Sequence, residues 1–146
     1  MKILVVEDEE LVAQVVLDIL TEAGHDVLGP ARTADEALTI ARAEMPELVL
    51  SNINLAGDIK GTDLARMLRA ELDIPVVFLS GNIQEAQPAQ DVALGHIAKP
   101  CSPTVVLKSV DVVGALLRGA VPEEHQIPPG LTLFRNTTLL DGASIG

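Results

Sequence analysis

The chain has 146 residues, 48% of them hydrophobic, and a net charge of −11. That length suits one ordinary domain and is short for two. The acidic balance lacks the basic footprint that nucleic-acid binding needs, and no apolar run approaches membrane-spanning length, so neither partner is expected.

The first strand-like run is Ile3-Leu4-Val5-Val6. A helical stripe follows, with Leu11, Val12, Val15, Val16, Ile19 and Leu20 spaced to share one face. Gly24 ends that helix, and Asp26-Val27-Leu28 reads as a weaker second strand. Thr33 and Glu36 form a capping-box pattern before a helix through Ala37, Leu38 and Ala41. Leu48-Val49-Leu50 is the third strand, and Gly61-Thr62 precede a helix carrying Leu64, Ala65, Leu68 and Leu72. Pro75 opens a fourth strand, Val76 to Leu79. The segment from Ile83 to Leu94 is poorly patterned and reads as a short helix. Ile97-Ala98 is a brief fifth strand. Ser102 then caps a last helix with Pro103 at its first position and Val106, Leu107, Val110, Val113 and Leu117 on its apolar face.

Strand-helix alternation with uninterrupted apolar strands predicts an α/β fold: a doubly wound, five-stranded parallel sheet covered on both faces. The expected division is a domain over 1–119 and a C-terminal tail over 120–146. Prolines forbid a continuous helix in the tail, and 131–134 could form a short strand. The core must be aliphatic, because Phe78 and Phe134 are the only aromatics. A single cysteine, Cys101, excludes an internal disulfide. It fits a reducing compartment, and with no leader-like segment before the first strand the expected location is the cytoplasm.

In such a sheet, ligands bind at the carboxyl ends of the strands. Those ends carry Glu7, Asp8 and Glu9; Asn52 and Asn54; Ser80; and Lys99 before Pro100. Paired carboxylates supply the hard oxygens that Mg²⁺ prefers. A lysine and a hydroxyl can hold phosphoryl oxygens. A central carboxylate nucleophile is missing, since the amide of Asn52 is neutral and not usefully nucleophilic.

The order Val5-Val6-Glu7-Asp8, Leu50 to Leu55, Phe78-Leu79-Ser80-Gly81 and Lys99-Pro100 resembles the response-regulator receiver family over roughly residues 2–118. The resemblance implies the flavodoxin-like (βα)5 receiver fold. It implies that Asp8, with Glu7 behind it, and the backbone carbonyl of Asn54 bind Mg²⁺ together with position 52. It also implies that Ser80 and Lys99 engage a phosphoryl group and that Asn52 stands where the family has its phosphorylated aspartate. His96 stands where the family usually has a switching aromatic coupled to Ser80. Pro75 to Asn82 further resembles a stand-alone receiver group of alphaproteobacterial stress and sensory pathways.

The expected function is therefore a two-component signalling receiver that acts as a protein-interaction module, not an enzyme, and is phosphorylation-deficient at Asn52. Mg²⁺ binding should be weakened or absent. Expected partners are a histidine kinase or phosphotransfer protein, another regulator, or a second copy of the chain. The alternative is an ordinary phosphoaccepting receiver carrying an introduced Asp-to-Asn change at 52. A small phosphatase is the remote alternative, with no glycine-rich phosphate loop after the first strand to support it. His25, Asp58 and Asp63 read as solvated or capping residues, and Cys101 as a small buried filler.

Overall fold

A computed structural model describes residues 1–134. Six strands form one sheet: β1 (Lys2–Val6), β2 (Asp26–Ala31), β3 (Leu48–Asn52), β4 (Val76–Ser80), β5 (Gly95–Ala98) and β6 (Leu131–Leu133), in the order β2-β1-β3-β4-β5-β6. The first five are parallel; β6 runs antiparallel to β5. The five-stranded expectation is thus extended by one strand. Four α-helices connect them: α1 (Glu10–Glu22), α2 (Ala34–Glu44), α3 (Gly61–Leu72) and α4 (Pro103–Leu117). The poorly patterned segment between β4 and β5 forms a 3₁₀ helix over Ile83–Ala89, and a second such turn covers Glu124–Gln126. The remainder of the expected tail, 135–146, lies outside the described residues.

Local sequence sets these boundaries. The Thr33 hydroxyl accepts a hydrogen bond from the Glu36 N–H at 3.1 Å and caps α2. Ser102 does the same for Val105 at 3.2 Å, with Pro103 preset for the first helical position. Alternation along the buried strands feeds two cores. Leu4, Val6, Val49 and Phe78 face α2 and α3; Ile3, Val5, Leu50, Val77 and Ile97 face α1 and α4. Each is nearly fully buried.

The shared face of α1 is buried only in part: of its stripe Val16 and Leu20 are buried, while Leu11 is 83% and Val15 54% exposed. The first half of α1 overlooks the segment from Lys99 to Pro103 instead of packing on a strand. This leaves a groove of about 510 Å³ lined by Leu11, Val12, Val15, Pro100, Cys101 and Pro103.

The order β2-β1-β3 places the topological switch between β1 and β3, so the chain leaves these two strands in opposite directions and opens a crevice at their carboxyl ends. Gly61 is required there. A Cβ on it would lie 2.2 Å from the Asn52 carbonyl oxygen, and its N–H donates to the Ile53 carbonyl at 2.7 Å. The start of α3 therefore presses directly on the end of β3 and fixes residue 52.

Candidate functional site

Three of the sequence-predicted residues meet at the crevice through one amide. Asn52 is 9% exposed. Its Nδ2 donates to Glu7 Oε2 at 3.2 Å, Asp8 Oδ1 at 3.4 Å and the Asn54 carbonyl at 2.9 Å. All three partners are acceptors, so the network fixes which end of the amide faces them. Glu7, 5% exposed, receives Lys99 Nζ on its other oxygen at 2.7 Å. Its Oε2 also accepts the Glu9 N–H at 3.1 Å, which holds the turn into α1. A carboxylate this buried is stable only when paired and hydrogen-bonded, and Glu7 is both.

Ser80 and His96 form a second, adjoining pair. Ser80 Oγ lies 2.7 Å from His96 Nε2 and 3.0 Å from the Asn82 carbonyl oxygen. The carbonyl can only accept, so the hydroxyl proton goes to it, and the imidazole donates from Nε2. Burial holds the His96 imidazole below its ordinary pKa; the Glu85 charge and the Ser80 bond oppose this only partly. This favours the neutral imidazole over the charged one. The two pairs are joined by the backbone, where the Lys99 N–H donates to the Ser80 carbonyl at 2.9 Å. The Lys99–Pro100 peptide is cis.

Asn54 is brought to the site by its carbonyl; its side-chain amide donates to Glu85 Oε2 at 3.1 Å. Glu85 is the member that the sequence reading missed. It bonds Asn54 and acts on His96, so it borders both pairs. One local signal marks its helix: Asn82 Oδ1 accepts the Gln84 N–H at 2.9 Å, an ordinary cap for Ile83–Ala89. Asp58 and Asp63 are exposed. Cys101 lines the α1 groove. Burial raises its thiol pKa and the nearby Lys99 offsets this only in part, so it is not an activated thiolate.

A family model described as the response regulator receiver domain matches residues 3–111. The chain belongs to the response regulator receiver family. Among similar proteins, the phyllosphere-induced regulator PhyR of Methylorubrum extorquens is 38% identical over 80 residues, covering 54% of this chain and 30% of that protein. The transcriptional regulatory protein BaeR of Escherichia coli is 32% identical over 129 residues, covering 85% and 51%. Solved structures agree. The receiver domain of NtrX from Brucella abortus superposes with a TM-score of 0.68 at 32% identity, covering 75% of this chain and 94% of that one. The response regulator PhyR from the same organism gives 0.60 at 30% identity, covering 72% and 44%. This receiver thus spans about a third to a half of the length of these two curated relatives.

Receiver domains generally bind Mg²⁺ at the acceptor site and interact with histidine kinases or other regulators. In this receiver the oxygens suited to such an ion, from Glu7, Asp8 and the Asn54 carbonyl, converge on an N–H donor. Asn52 presents nitrogen, not oxygen, to the point they share. Among the described residues no group of three or more His, Cys, Asp or Glu side chains could hold a metal. The Asn52 nitrogen thus satisfies the carboxylate oxygens that such an ion would meet. Among the described residues, no helix is long and apolar enough to cross a membrane.

Proposed function

We propose that this receiver works in the cytoplasm as a protein-interaction module, without enzymatic activity and without accepting a phosphoryl group at position 52. The observation that carries this reading is the three-way bond of Asn52 Nδ2 to Glu7, Asp8 and Asn54. By the family resemblance, residue 52 is the phosphoacceptor position. An amide cannot serve as the carboxylate nucleophile, and here its nitrogen faces the metal side of the crevice. Mg²⁺ binding is correspondingly weakened or lost. Ser80 and Lys99 keep the places the family uses for phosphoryl oxygens, yet Lys99 is engaged by Glu7 and Ser80 by His96 and Asn82. His96 holds the switch position in its inward, Ser80-bonded rotamer.

Partner recognition falls on the apolar groove between α1 and the start of α4. Leu11 and Val15 are exposed apolar side chains beside Pro100, Cys101 and Pro103, a surface that suits the apolar face of a partner helix. A helical histidine kinase or phosphotransfer protein, or another regulator, meets that requirement. The likeness to the regulator PhyR supports a regulatory partner.

The test is intact-mass analysis after incubation with acetyl phosphate and Mg²⁺. The native chain should stay unmodified and Asn52→Asp should gain one phosphoryl group. An adduct on the native chain overturns the reading. The retained Glu7, Asp8, Ser80 and Lys99 also suit an aspartate-bearing parent into which the amide was introduced; an aspartate codon at position 52 in the natural coding sequence establishes that second reading.

A further inference from the structure

The free side of β5 is covered by the chain's own β6. Among the described residues β6 has three residues and one neighbour, β5. Residues 118–130, which lead to it, contain only the short 3₁₀ turn over Glu124–Gln126. The ladder is nonetheless specific. Ala98 N–H donates to the Gly130 carbonyl and Phe134 N–H to the Leu94 carbonyl, each at 2.9 Å. By antiparallel alternation, His96 and Thr132 between them form the hydrogen-bonded pair. Leu131 and Phe134 fall on opposite faces of the sheet and enter opposite cores, the first on the α1/α4 side and the second on the α2/α3 side. They are 7% and 3% exposed. Gly95 makes the approach possible: a Cβ there would lie 2.5 Å from the Thr132 carbonyl oxygen.

We propose that the β5 edge is a strand-docking site, occupied in this state by β6 and open to an extended segment of a partner protein when β6 leaves. The chemistry of β6 defines the ligand: backbone pairing to Gly95, His96 and Ile97, aliphatic side chains at the places of Leu131 and Leu133, and an aromatic at the place of Phe134. An edge with these two sockets open exposes apolar surface, so it is refilled and not left bare. A neutral or basic segment is favoured over a second acidic copy, because two chains of charge −11 repel. The strand residue at the centre of the pairing is His96, whose ring bonds Ser80, so a change of occupant is felt at the end of β4. The docking edge itself does not depend on whether Asn52 accepts phosphate.

Two measurements on the full chain test this. In hydrogen exchange on the native protein, the Thr132 and Phe134 amides should exchange at least about tenfold faster than those of Leu50 and Phe78 in β3 and β4. Equal protection across these strands overturns a displaceable β6. In trans, a fluorescent peptide of the sequence Pro-Gly-Leu-Thr-Leu-Phe-Arg is titrated into the native chain, Leu131→Asp and Phe134→Asp, with a scrambled peptide as control. Either variant that keeps its circular dichroism should bind the peptide at least about tenfold more tightly than the native chain, since its own strand no longer competes. Adding Gly95→Val should abolish that binding. Equal affinity for native and variants, or binding that survives Gly95→Val, refutes the site. A concentration-dependent dimer of the native chain that exchanges β6 overturns the assignment of the partner.

Discussion

Replacing Asn52 by aspartate tests the role of the amide most directly. The change deletes the two N–H donors that Glu7, Asp8 and the Asn54 carbonyl share, worth about 1 kcal/mol each. It also sets a carboxylate oxygen close to Glu7 Oε2 and Asp8 Oδ1, which lie 3.2 and 3.4 Å from the present nitrogen. At those separations each like-charge pair costs about 5 kcal/mol at an effective dielectric constant of about 20. The full sum is not reached, because the site can take up a proton. Holding an aspartic acid neutral at pH 7 costs about 4 kcal/mol from its ordinary pKa, and this caps the repulsive part. Lys99 further screens Glu7 from its other side. The expected loss in a metal-chelating buffer is therefore about 6 kcal/mol, the capped repulsion plus about 2 kcal/mol for the lost amide donors, read from urea unfolding followed by circular dichroism. Millimolar Mg²⁺ should restore most of it in Asn52→Asp and leave the native chain unmoved. A variant within about 1 kcal/mol of the native chain in chelator, or equal Mg²⁺ stabilisation of both, refutes the argument.

Lys99→Met should destabilise the chain by about 3 kcal/mol, because it strands a buried Glu7 carboxylate, and Glu7→Gln in the same chain should recover most of that loss in a double-mutant cycle. Gly61→Ala should cost about 3 kcal/mol and shift the amide resonances of Asn52 and Ile53, since its Cβ meets the Asn52 carbonyl at 2.2 Å; an unchanged unfolding midpoint would contradict the close approach. His96 is held below its ordinary pKa of about 6.5 in the folded chain, so the unfolded chain binds the proton more tightly. Its contribution is then fully present above about pH 6.5 and is lost as pH falls toward the folded value. His96→Gln keeps a donor for Ser80 without titrating, and it should flatten the decline in urea midpoint between about pH 7 and 5.5 relative to the native chain.

The parallel sheet and its site residues were legible because they rest on strong local signals. Uninterrupted aliphatic runs at Ile3–Val6, Leu48–Leu50 and Val76–Leu79 become strands buried on both faces, and their carboxyl ends meet wherever the fold is doubly wound. The second half of β2 was not legible, because Gly29 and Pro30 read as punctuation yet continue the strand to Ala31. For β6 the short strand itself was offered by the sequence at 131–134, but its place in the sheet was not, because the pairing depends on the bare backbone of Gly95 thirty-six positions before Leu131. The half-exposure of the α1 stripe was not legible, for the opposite reason. Periodicity shows that Leu11, Val15 and Val16 share a face but not what stands opposite, and opposite Leu11 and Val15 stands a loop. Glu85 escaped notice because its partners, Asn54 and His96, are distant in the chain and joined only by the fold.

One consequence of the site joins the amide to the surface. A cluster of carboxylates that lacks its cation has reason to change when an ion or a phosphoryl group arrives, and that is what lets a site act as an input. At this crevice the acidic oxygens already have internal donors: Asn52 Nδ2 serves Glu7, Asp8 and Asn54, and Lys99 serves Glu7 again. A ligand entering it must break these bonds before forming its own, and can shift the domain only by the difference. The crevice is therefore a poor input on energetic grounds, whatever its ancestry. The groove beside α1 carries no such cost, since it presents Leu11 and Val15 exposed and apolar, and at the β5 edge the cost is that of displacing a strand of three residues with Leu131 and Phe134. Binding energy gained at the groove goes directly into choosing between conformations, and at the edge only the excess over β6 does. On this argument the domain is controlled from its surface inward, with Ser80 and His96 responding to the edge and not commanding it.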